Sequence, residues 1–400
     1  MTRLTLLACC AALAACGPVP DATTRDAAAP AALASAAADP PPPMSDPLPP
    51  QEVSNEPAPF NVQALGSFDE PWAMAFLPDG RLLVTEKAGR LKLVTPGGAS
   101  ITVQGVPTVA HGGQGGLGDV LPHPDFANNR DVYFSHAEAG GNGTYGAVVV
   151  RYTLQATATT ATLTDRRLVW TQVPKVGGQG HYGHRLAFGP DGMLWITSGE
   201  RQKFNPSQDM ASNMGKVVRL HDDGRVPADN PFAAQGGVAA QAWTLGHRNP
   251  LGIAFDAGGQ LWVHEMGPKG GDELNLIERG ANYGYPIVSN GDHYDGRTIP
   301  DHVTRPEFNP PEITWTPVIS PAGFVIYSGD AFPAWKGDGL IGGLSAQALV
   351  RVEFNRDTAR EAARYPMGRR IREVEQGPDG FVYVLEDGAN GRLLRLTPKS

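Results

Sequence analysis

The sequence predicts an all-β fold, a six-bladed β-propeller with long functional loops on one face. Glycine and proline account for 49 and 36 of the 400 residues, which is too many for a helical bundle. Hydrophobic residues make up 41% of the chain and charged residues only 18%, a composition typical of a globular protein. A unit of two apolar strands joined by a tight turn recurs six times, as the blades of a propeller do.

The repeated unit is clearest where Asp and Gly separate two strands rich in Val, Ile, Leu, Phe and Trp. Gly supplies the positive φ that such a turn needs. Clear copies surround residues 78–80, 190–192, 256–259 and 378–380, and weaker copies surround 122–126 and 327–339. Six blades of four strands would occupy residues 60–398, closed by the strand at 392–396 or by a partner strand at 61–66. A pair of β-sandwich domains is the alternative architecture.

Residues 1–16 are typical of a lipoprotein-type signal peptide. Arg3 precedes an apolar run, 4–13, that is too short to span a bilayer. Small residues then lead to Cys16, which resembles the cysteine of the bacterial lipobox, where it is acylated. We therefore expect export to the periplasm, with membrane contact only through a lipid anchor on Cys16. Ordinary secretory cleavage near Ala15 is the alternative.

Residues 17–59 predict a disordered tether between this anchor and the propeller. They contain 12 Pro and 11 Ala, and no aromatic residue occurs before Phe60. Such a segment buries too little apolar surface to offset its ordering entropy.

Charge and cysteine content exclude several kinds of function. The formal net charge of −8 argues against a nucleic-acid partner, because phosphate binding needs a cationic surface. The three cysteines are Cys9, Cys10 and Cys16. Residues 60–398 therefore contain no disulfide framework, zinc–thiolate site or cysteine nucleophile.

Six loop motifs carry a resemblance to a known family. They occur in order along the chain at residues 111–119, 123–126, 180–186, 245–250, 265–275 and 370–374. Together they resemble the glucose/sorbosone dehydrogenases, soluble quinoproteins that use pyrroloquinoline quinone (PQQ) and Ca²⁺, and most of all the aldose sugar dehydrogenase branch. The resemblance implies oxidation of an aldose at C1 to a lactone by hydride transfer to a Ca²⁺-activated quinone. The preferred sugar, the electron acceptor and the oligomeric state stay open.

This chemistry needs a base for the hydroxyl proton, a hydride acceptor and cations near that acceptor. By resemblance His181 is the general base, since histidine titrates near neutral pH. The alternative is a structural loop histidine, and His184 is an obvious competitor. Arg248 is expected to donate to a quinone oxygen, and Asn249 beside it to bind the cofactor.

Two arginines are expected to bind the cofactor carboxylates. Arg370 and Arg372 lie two residues apart, so a strand would point both to one face. Their charges repel unless an anion lies between them, and PQQ carries three carboxylates. The alternative is a pair of salt bridges, for which Glu373 and Glu375 lie on the wrong face. Gln114, in a Gly-rich loop, is expected by resemblance to touch the substrate or the quinone.

The resemblance also implies calcium ligands. The carbonyls of Gly267 and Pro268 would hold the Ca²⁺ that activates the quinone, because hard cations take oxygen ligands. Asp272 is expected to support this loop and so the cofactor site. Glu273 and the carbonyl of Tyr283 match a second, structural calcium position. Without the resemblance, residues 272 and 273 would be interpreted as a solvated acidic turn.

The sequence departs from the glucose dehydrogenase branch at two positions. Gly180 stands where that branch has an acidic residue, and Ser345 falls near its cofactor-binding lysine. Trp315 is expected either to wall the cofactor pocket or to pack in the core. A metal-dependent propeller hydrolase of the lactonase type and a non-catalytic binding propeller are the alternative functions.

Overall fold

A computed structural model describes residues 57–399. The predicted signal peptide and almost all of the predicted tether lie outside the described residues. The described chain forms six antiparallel sheets, and adjacent inner strands contact one another in a closed ring. The prediction of an all-β, six-bladed propeller is confirmed.

Each blade is numbered by its inner strand in chain order. Blade 1 contains β2 (Pro71–Phe76), β3 (Leu82–Glu86), β4 (Arg90–Val94) and β5 (Ser100–Val103). Blade 2 contains β6 (Leu117–Pro122), β7 (Asp131–Ala139), β8 (Thr144–Ala156), β9 (Ala161–Thr171) and the short fifth strand β10 (Val176–Gly177). Blade 3 contains β11 (Gly183–Phe188), β12 (Leu194–Ser198), β13 (Lys216–Leu220) and β14 (Ala242–Leu245). The expected four strands per blade therefore hold except in blade 2.

The other three blades repeat the same order. Blade 4 contains β15 (Pro250–Phe255), β16 (Leu261–Glu265), β17 (Asp272–Leu276) and β18 (Ile313–Trp315). Blade 5 contains β19 (Pro321–Ile326), β20 (Gly339–Gly343), β21 (Ala348–Asn355) and β22 (Thr358–Pro366). Blade 6 contains β23 (Ile371–Gln376), β24 (Val382–Glu386), β25 (Gly391–Pro398) and β1 (Phe60–Phe68).

Helical structure in the described residues is short and confined to connections. One α-helical turn, α1, spans Phe126–Asn129. Six 3₁₀ turns span Gly141–Gly143, Asn205–Ser207, Ala233–Gln235, Ala239–Gln241, His302–Thr304 and Pro333–Trp335. Within residues 57–399, no helix is long and apolar enough to cross a membrane.

The ring is closed by the two ends of the described chain. β1 pairs antiparallel with β25, from Phe60 opposite Pro398 to Phe68 opposite Gly391. Both strands that the sequence offered for closure are therefore used, one against the other. The N-terminal strand becomes the outer strand of the last blade, so that no blade is left with three strands.

The repeated turns join the inner strand of a blade to its second strand. Gly80, Gly192 and Gly380 have φ between 75° and 81°, the left-handed region that favours glycine. In three blades the turn aspartate accepts a hydrogen bond from the backbone N–H two residues on, at 3.1 Å each: Asp79 from Arg81, Asp191 from Met193 and Asp379 from Phe381. Gly and Asp thus define the turn for separate physical reasons.

The hydrophobic core lies between blades rather than at the axis. Six clusters of buried side chains fill the six interfaces between neighbouring blades. Fully buried members include Leu83, Phe134, Trp262 and Leu349. The apolar faces of the sheets pack on one another, which leaves the ends of the inner strands free to carry polar groups.

Candidate active site

The predicted site residues meet at one face of the propeller. All inner strands run in the same direction, so they begin at one face, and the turns from each second strand to its third strand lie there too. Gln114, His181 and Arg248 precede inner strands, whereas Gly267 follows the second strand of blade 4. Residues distant in sequence are therefore brought to one surface, while the Asp-Gly turns occupy the opposite face.

A cleft of about 350 Å³ opens at this face. This volume falls within the roughly 300–1,000 Å³ of small-molecule sites. Its walls come from blades 1 to 6 and include Glu70, Trp72, Lys87, Gln114, Tyr182, His184, Asn249, Met266, Ser320, Leu344, Arg370, Arg372 and Asp387. A smaller apolar recess of about 150 Å³, lined by Phe76, Gly80 and Tyr383, lies among the Asp-Gly turns of blades 1 and 6. The polar cleft, and not this recess, is lined by predicted site residues, namely Gln114, Asn249, Arg370 and Arg372, and by the chain neighbours of His181 and Arg248.

His181 forms a dyad with a buried carboxylate that sequence reasoning missed. Its Nδ1 lies 2.5 Å from Oε1 of Glu200, whose side chain is fully buried just after β12. The other carboxylate oxygen of Glu200 accepts hydrogen bonds from the backbone N–H groups of Lys203 and Phe204. Glu200 is thus held by the chain and fixes the imidazole in turn.

The dyad sets the protonation state of the imidazole. Burial lowers the pKa of His181, and the hydrogen bond to Glu200 opposes that effect only in part. Burial alone would raise the pKa of Glu200, but the hydrogen bond and charge of His181, the backbone N–H of Phe204 and the charge of Arg248 together outweigh burial and lower that pKa. An ionised carboxylate can only accept, so Nδ1 carries the proton and Nε2 keeps its lone pair. His181, with 9% of its side chain exposed, can therefore accept a proton from a bound hydroxyl.

Gln114 contacts the same histidine from another blade. The side-chain Oε1 of Gln114 accepts a hydrogen bond from the backbone N–H of His181 at 2.7 Å, and the backbone N–H of Gln114 donates to the carbonyl of Gln179. His181 has φ of 48°, a conformation that needs such support in a residue other than glycine. Gln114 thus positions His181 as well as lining the cleft.

His184 has a structural environment, although it also lines the cleft. Its Nδ1 lies 2.7 Å from the hydroxyl of Ser135, and its ring stacks on Trp72 at 4.9 Å. Burial lowers the pKa of His184 to about 3, so the ring stays neutral. Since Ser135 can only orient this ring, His184 lacks the carboxylate partner that equips His181 as a base.

Arg248 lies beside the dyad and is held by backbone carbonyls. Its Nη1 donates to the carbonyls of Met266 at 2.8 Å and Gly267 at 2.6 Å. The backbone N–H of Arg248 donates to Glu265, a buried carboxylate that also accepts a hydrogen bond from Nδ1 of His247. The Nε of Arg248 is buried without a hydrogen-bond partner in the described residues. The Nε–H donor of the guanidinium is therefore left for a ligand.

Asn249 presents an unpartnered amide to the cleft. The residue is only 1% exposed, and neither Oδ1 nor Nδ2 has a partner among the described residues. A buried amide without partners costs free energy unless a ligand or water satisfies it. Asn249 therefore indicates a polar ligand at this wall.

An anion lies between Arg370 and Arg372, and it is the carboxylate of Asp387. Nε of Arg370 and Nε of Arg372 donate to the two oxygens of Asp387, at 2.8 and 2.9 Å. The alternative of a pair of salt bridges is therefore present, with Asp387 and not Glu373 or Glu375 as the partner, because the turn between β24 and β25 brings Asp387 against the start of β23. Burial alone would raise the pKa of Asp387, but the two arginines outweigh it and lower that pKa. The pair converges on the cleft as expected, with two guanidiniums sharing one carboxylate.

Lys87 is a further cation of the cleft that sequence reasoning missed. It follows β3 directly, and its Nζ donates to the carbonyl of Gly113 at 3.1 Å. Glu70 lies 3.6 Å from the ammonium and also contacts His111. Ser345, near which a cofactor-binding lysine of the glucose dehydrogenase branch is expected to fall, donates its hydroxyl to the carbonyl of Val318.

The loop assigned to calcium is tightly built. A Cβ at Gly267 would lie 2.1 Å from the carbonyl oxygen of Gly271, so only glycine fits there. Asp272 accepts from the N–H groups of Gly267 at 2.9 Å and Ser320 at 2.7 Å, and burial raises its pKa to about 6. Asp272 supports the loop as expected. The Gly267 carbonyl already accepts from Arg248, and its second lone pair remains for a further partner.

The second predicted calcium position contains a buried carboxylate. Glu273 lies in β17, and the amide of Asn275 approaches it only to 3.5 Å. Burial and then the nearby Glu265 raise the pKa of Glu273 well above its usual range. The Tyr283 carbonyl accepts from Nε2 of His302 at 3.2 Å. The alternative of a solvated turn at residues 272–273 is wrong, since both side chains are buried.

Trp315 packs in the core and does not wall the cleft. It lies in β18, the outer strand of blade 4, and its indole N–H donates to Glu361 of blade 5 at 2.7 Å.

A buried ion cluster lies on the inner strands: Arg185 forms a salt bridge with Glu373 and lies 3.4 Å from Asp119. Glu373 is thus committed to Arg185, which agrees with its expected unavailability to Arg372.

The residues present fit PQQ and are compatible with Ca²⁺. The cleft has the volume of a small-molecule site, three cationic side chains and an unpartnered amide, which suit an anionic ligand rich in carbonyl groups. Carboxylate and carbonyl oxygens are the donors that Ca²⁺ prefers. Within the described residues, however, no group of three or more His, Cys, Asp or Glu side chains forms a metal site. Any calcium here would depend on carbonyl ligands as well.

Comparison with known proteins identifies the family. The profile of the family described as Glucose / Sorbosone dehydrogenase matches residues 68–395. The chain is 39% identical to the aldose sugar dehydrogenase of Escherichia coli, over 86% of this chain and 94% of that protein. The chain belongs to the glucose/sorbosone dehydrogenase family. The resemblance drawn from the loop motifs is thereby confirmed.

Solved structures agree with membership of the glucose/sorbosone dehydrogenase family. The apo form of the soluble aldose sugar dehydrogenase from Escherichia coli gives a TM-score of 0.80 and 38% identity, over 85% of this chain and all of that chain. The PQQ-bound aldose sugar dehydrogenase from Streptomyces coelicolor gives a TM-score of 0.69 and 27% identity, over 86% of this chain and 99% of that one. The predicted enzyme class, a sugar-oxidising oxidoreductase, is confirmed.

Proposed function

We propose that this protein oxidises aldose sugars at C1 to lactones, with PQQ and Ca²⁺ as cofactors and His181 as the general base. The observation that carries the proposal is the His181–Glu200 dyad at the edge of a cleft with a cationic wall. Membership of the glucose/sorbosone dehydrogenase family supports it, as does the PQQ-bound relative. The hydrolase and binding-propeller alternatives have no such support.

His181 would remove the proton of the C1 hydroxyl through Nε2. Glu200 holds the opposite nitrogen protonated and stabilises the imidazolium that forms, because the charge pair is buried. PQQ supplies, when bound, the hydride acceptor that protein side chains lack. Ca²⁺ supplies, when bound, polarisation of a carbonyl oxygen.

Other side chains would hold the reactants in place. Arg248 keeps Nε free for a negatively polarised oxygen, and Asn249 offers both a donor and an acceptor. Arg370 and Arg372 would bind cofactor carboxylates, since guanidinium donors remain beyond those given to Asp387. Gln114 holds the backbone of His181 and so its position relative to the cleft.

Reconstitution of the apoprotein tests the proposal. Dye-linked oxidation of an aldose should appear only when PQQ and Ca²⁺ are both added, and the product should be the lactone. His181→Gln should lose roughly 10²–10⁴-fold of this activity while still binding PQQ, whereas His221→Ala, on the opposite face, should behave as wild type. Activity without PQQ, or hydrolysis of a lactone by the apoprotein with Ca²⁺ alone, would contradict the proposal.

Two further parts of the prediction belong with it. Export and a lipid anchor at Cys16 would place the enzyme at a periplasmic membrane surface, and the anchor residue lies outside the described residues.

A further inference from the structure

The ammonium of Lys87 lies in the cleft wall with donors to spare. Its Nζ gives one hydrogen bond, to the carbonyl of Gly113 at 3.1 Å. Glu70 is 3.6 Å away, which is an ion-pair distance and longer than a normal hydrogen bond. An ammonium has three donors, so Lys87 can bind another acceptor without losing its backbone contact.

The charges of the cleft favour an anionic ligand on one side. Three cations line it, Lys87, Arg370 and Arg372, against the two carboxylates of Glu70 and Asp387. Asp387 is committed to the two arginines, and Glu70 is shared between Lys87 and His111. The wall therefore keeps a surplus positive charge to which all three cations contribute.

The ring topology places these cations together. Lys87 follows the second strand of blade 1, whereas Arg370 immediately precedes the inner strand of blade 6 and Arg372 lies at its start. Blades 6 and 1 are neighbours. Their loops touch, because Lys87 N–H donates to the carbonyl of Glu70, whose own N–H donates to the carbonyl of Gly388. His181 and Arg248 come from blades 3 and 4, which lie across the axis. The cleft is thus cationic on one side and carries the proton-transfer group on the other.

We propose that Lys87 binds a carboxylate of PQQ and supplies from blade 1 the cation that the family's lysine would have supplied near Ser345. This inference rests on the proposed function, because it needs PQQ in the cleft. It assigns a binding role to a residue that none of the loop motifs contains.

Equilibrium binding of PQQ to the apoprotein, with Ca²⁺ present, tests the inference without any turnover. Lys87→Gln should weaken PQQ binding roughly tenfold to a hundredfold, the equivalent of one lost charge-assisted hydrogen bond. Lys336→Gln is the matched control, since that exposed lysine lies in a turn on the opposite face, and it should bind PQQ as wild type does. Adding Ser345→Lys to Lys87→Gln should restore a part of the lost affinity.

A second measurement separates charge from shape. The trimethyl ester of PQQ lacks the anionic groups, so Lys87→Gln should change its affinity much less than that of PQQ. Melting curves of the apoproteins should show that Lys87→Gln is folded. If wild type binds PQQ and Lys87→Gln binds it within twofold, the inference is overturned and the proposed function stands. If wild type does not bind PQQ at all, the proposed function fails and the inference fails with it.

Discussion

Replacing Glu200 with glutamine isolates the electrostatic part of the dyad. The substitution keeps the shape of a fully buried side chain and removes its charge. Glu200 now accepts from His181 through one oxygen and from the N–H groups of Lys203 and Phe204 through the other. A glutamine has one acceptor oxygen and a donor amide, so either the imidazole or the backbone must lose its acceptor.

The expected loss follows from that single interaction. A hydrogen bond to a charged group contributes about 1.5–3 kcal/mol, which corresponds to a fall in kcat of roughly 10- to 100-fold. The pH profile should also move. His181 acts as a base only when neutral, so activity is lost as the pH falls through its pKa. Because the hydrogen bond that His181 donates to Glu200 raises the pKa of the imidazole, its removal should shift the acid limb to lower pH.

Steady-state dye-linked kinetics across about pH 5 to 8 would measure both effects. The limb of kcat/KM reports the free enzyme, and PQQ affinity measured in parallel shows whether the cleft is intact. We expect a lower plateau together with an acid limb at lower pH. An unchanged plateau, or a limb displaced to higher pH, would refute the assigned roles of Glu200 and His181.

Other substitutions test separate parts of the site. His181→Ala should lower kcat by roughly 10²–10⁴-fold with PQQ affinity retained, whereas His184→Ala should mainly lower the melting temperature; equal catalytic losses would sink the assignment. Arg372→Ala should weaken PQQ binding and also lower the melting temperature of the apoprotein, because Asp387 loses one of its two guanidinium partners; an apoprotein at least as stable as wild type would indicate that repulsion between the arginines dominates. Cys16→Ser should move the protein from the membrane to the soluble fraction with activity unchanged, and a wild-type protein that fractionates as fully soluble would argue against lipidation.

The fold was accessible from sequence because its repeated turns are local. Gly and Asp at residues 79–80, 191–192 and 379–380 specify a turn by their own backbone and side-chain preferences. Closure of the ring could also be predicted, since the strands at the two ends of residues 60–398 had no other predicted partner. The fifth strand of blade 2 was not, because two residues, Val176 and Gly177, carry no periodic signal.

Site residues could be predicted from the sequence only where they belong to one of the loop motifs. Lys87, Glu200 and Asp387 were missed because their partners are distant in sequence and are brought near by the ring. A signal was nevertheless present. Each follows the second strand of its blade by one or two residues, the same position that Gly267 occupies in blade 4. Aligning the repeats on their second strands, rather than on the Asp-Gly turns, would have selected all of them.

One measurement tests the central claim most directly: anaerobic single turnover of the reconstituted protein with an aldose, followed by product analysis. We expect lactone in an amount equal to the bound PQQ, formed more slowly when the sugar carries deuterium at C1. In the His181→Ala variant, with PQQ equally bound, lactone should form at least about 100-fold more slowly. Lactone formation at an unchanged rate in that variant, or no lactone from wild type with PQQ and Ca²⁺ bound, would contradict the account.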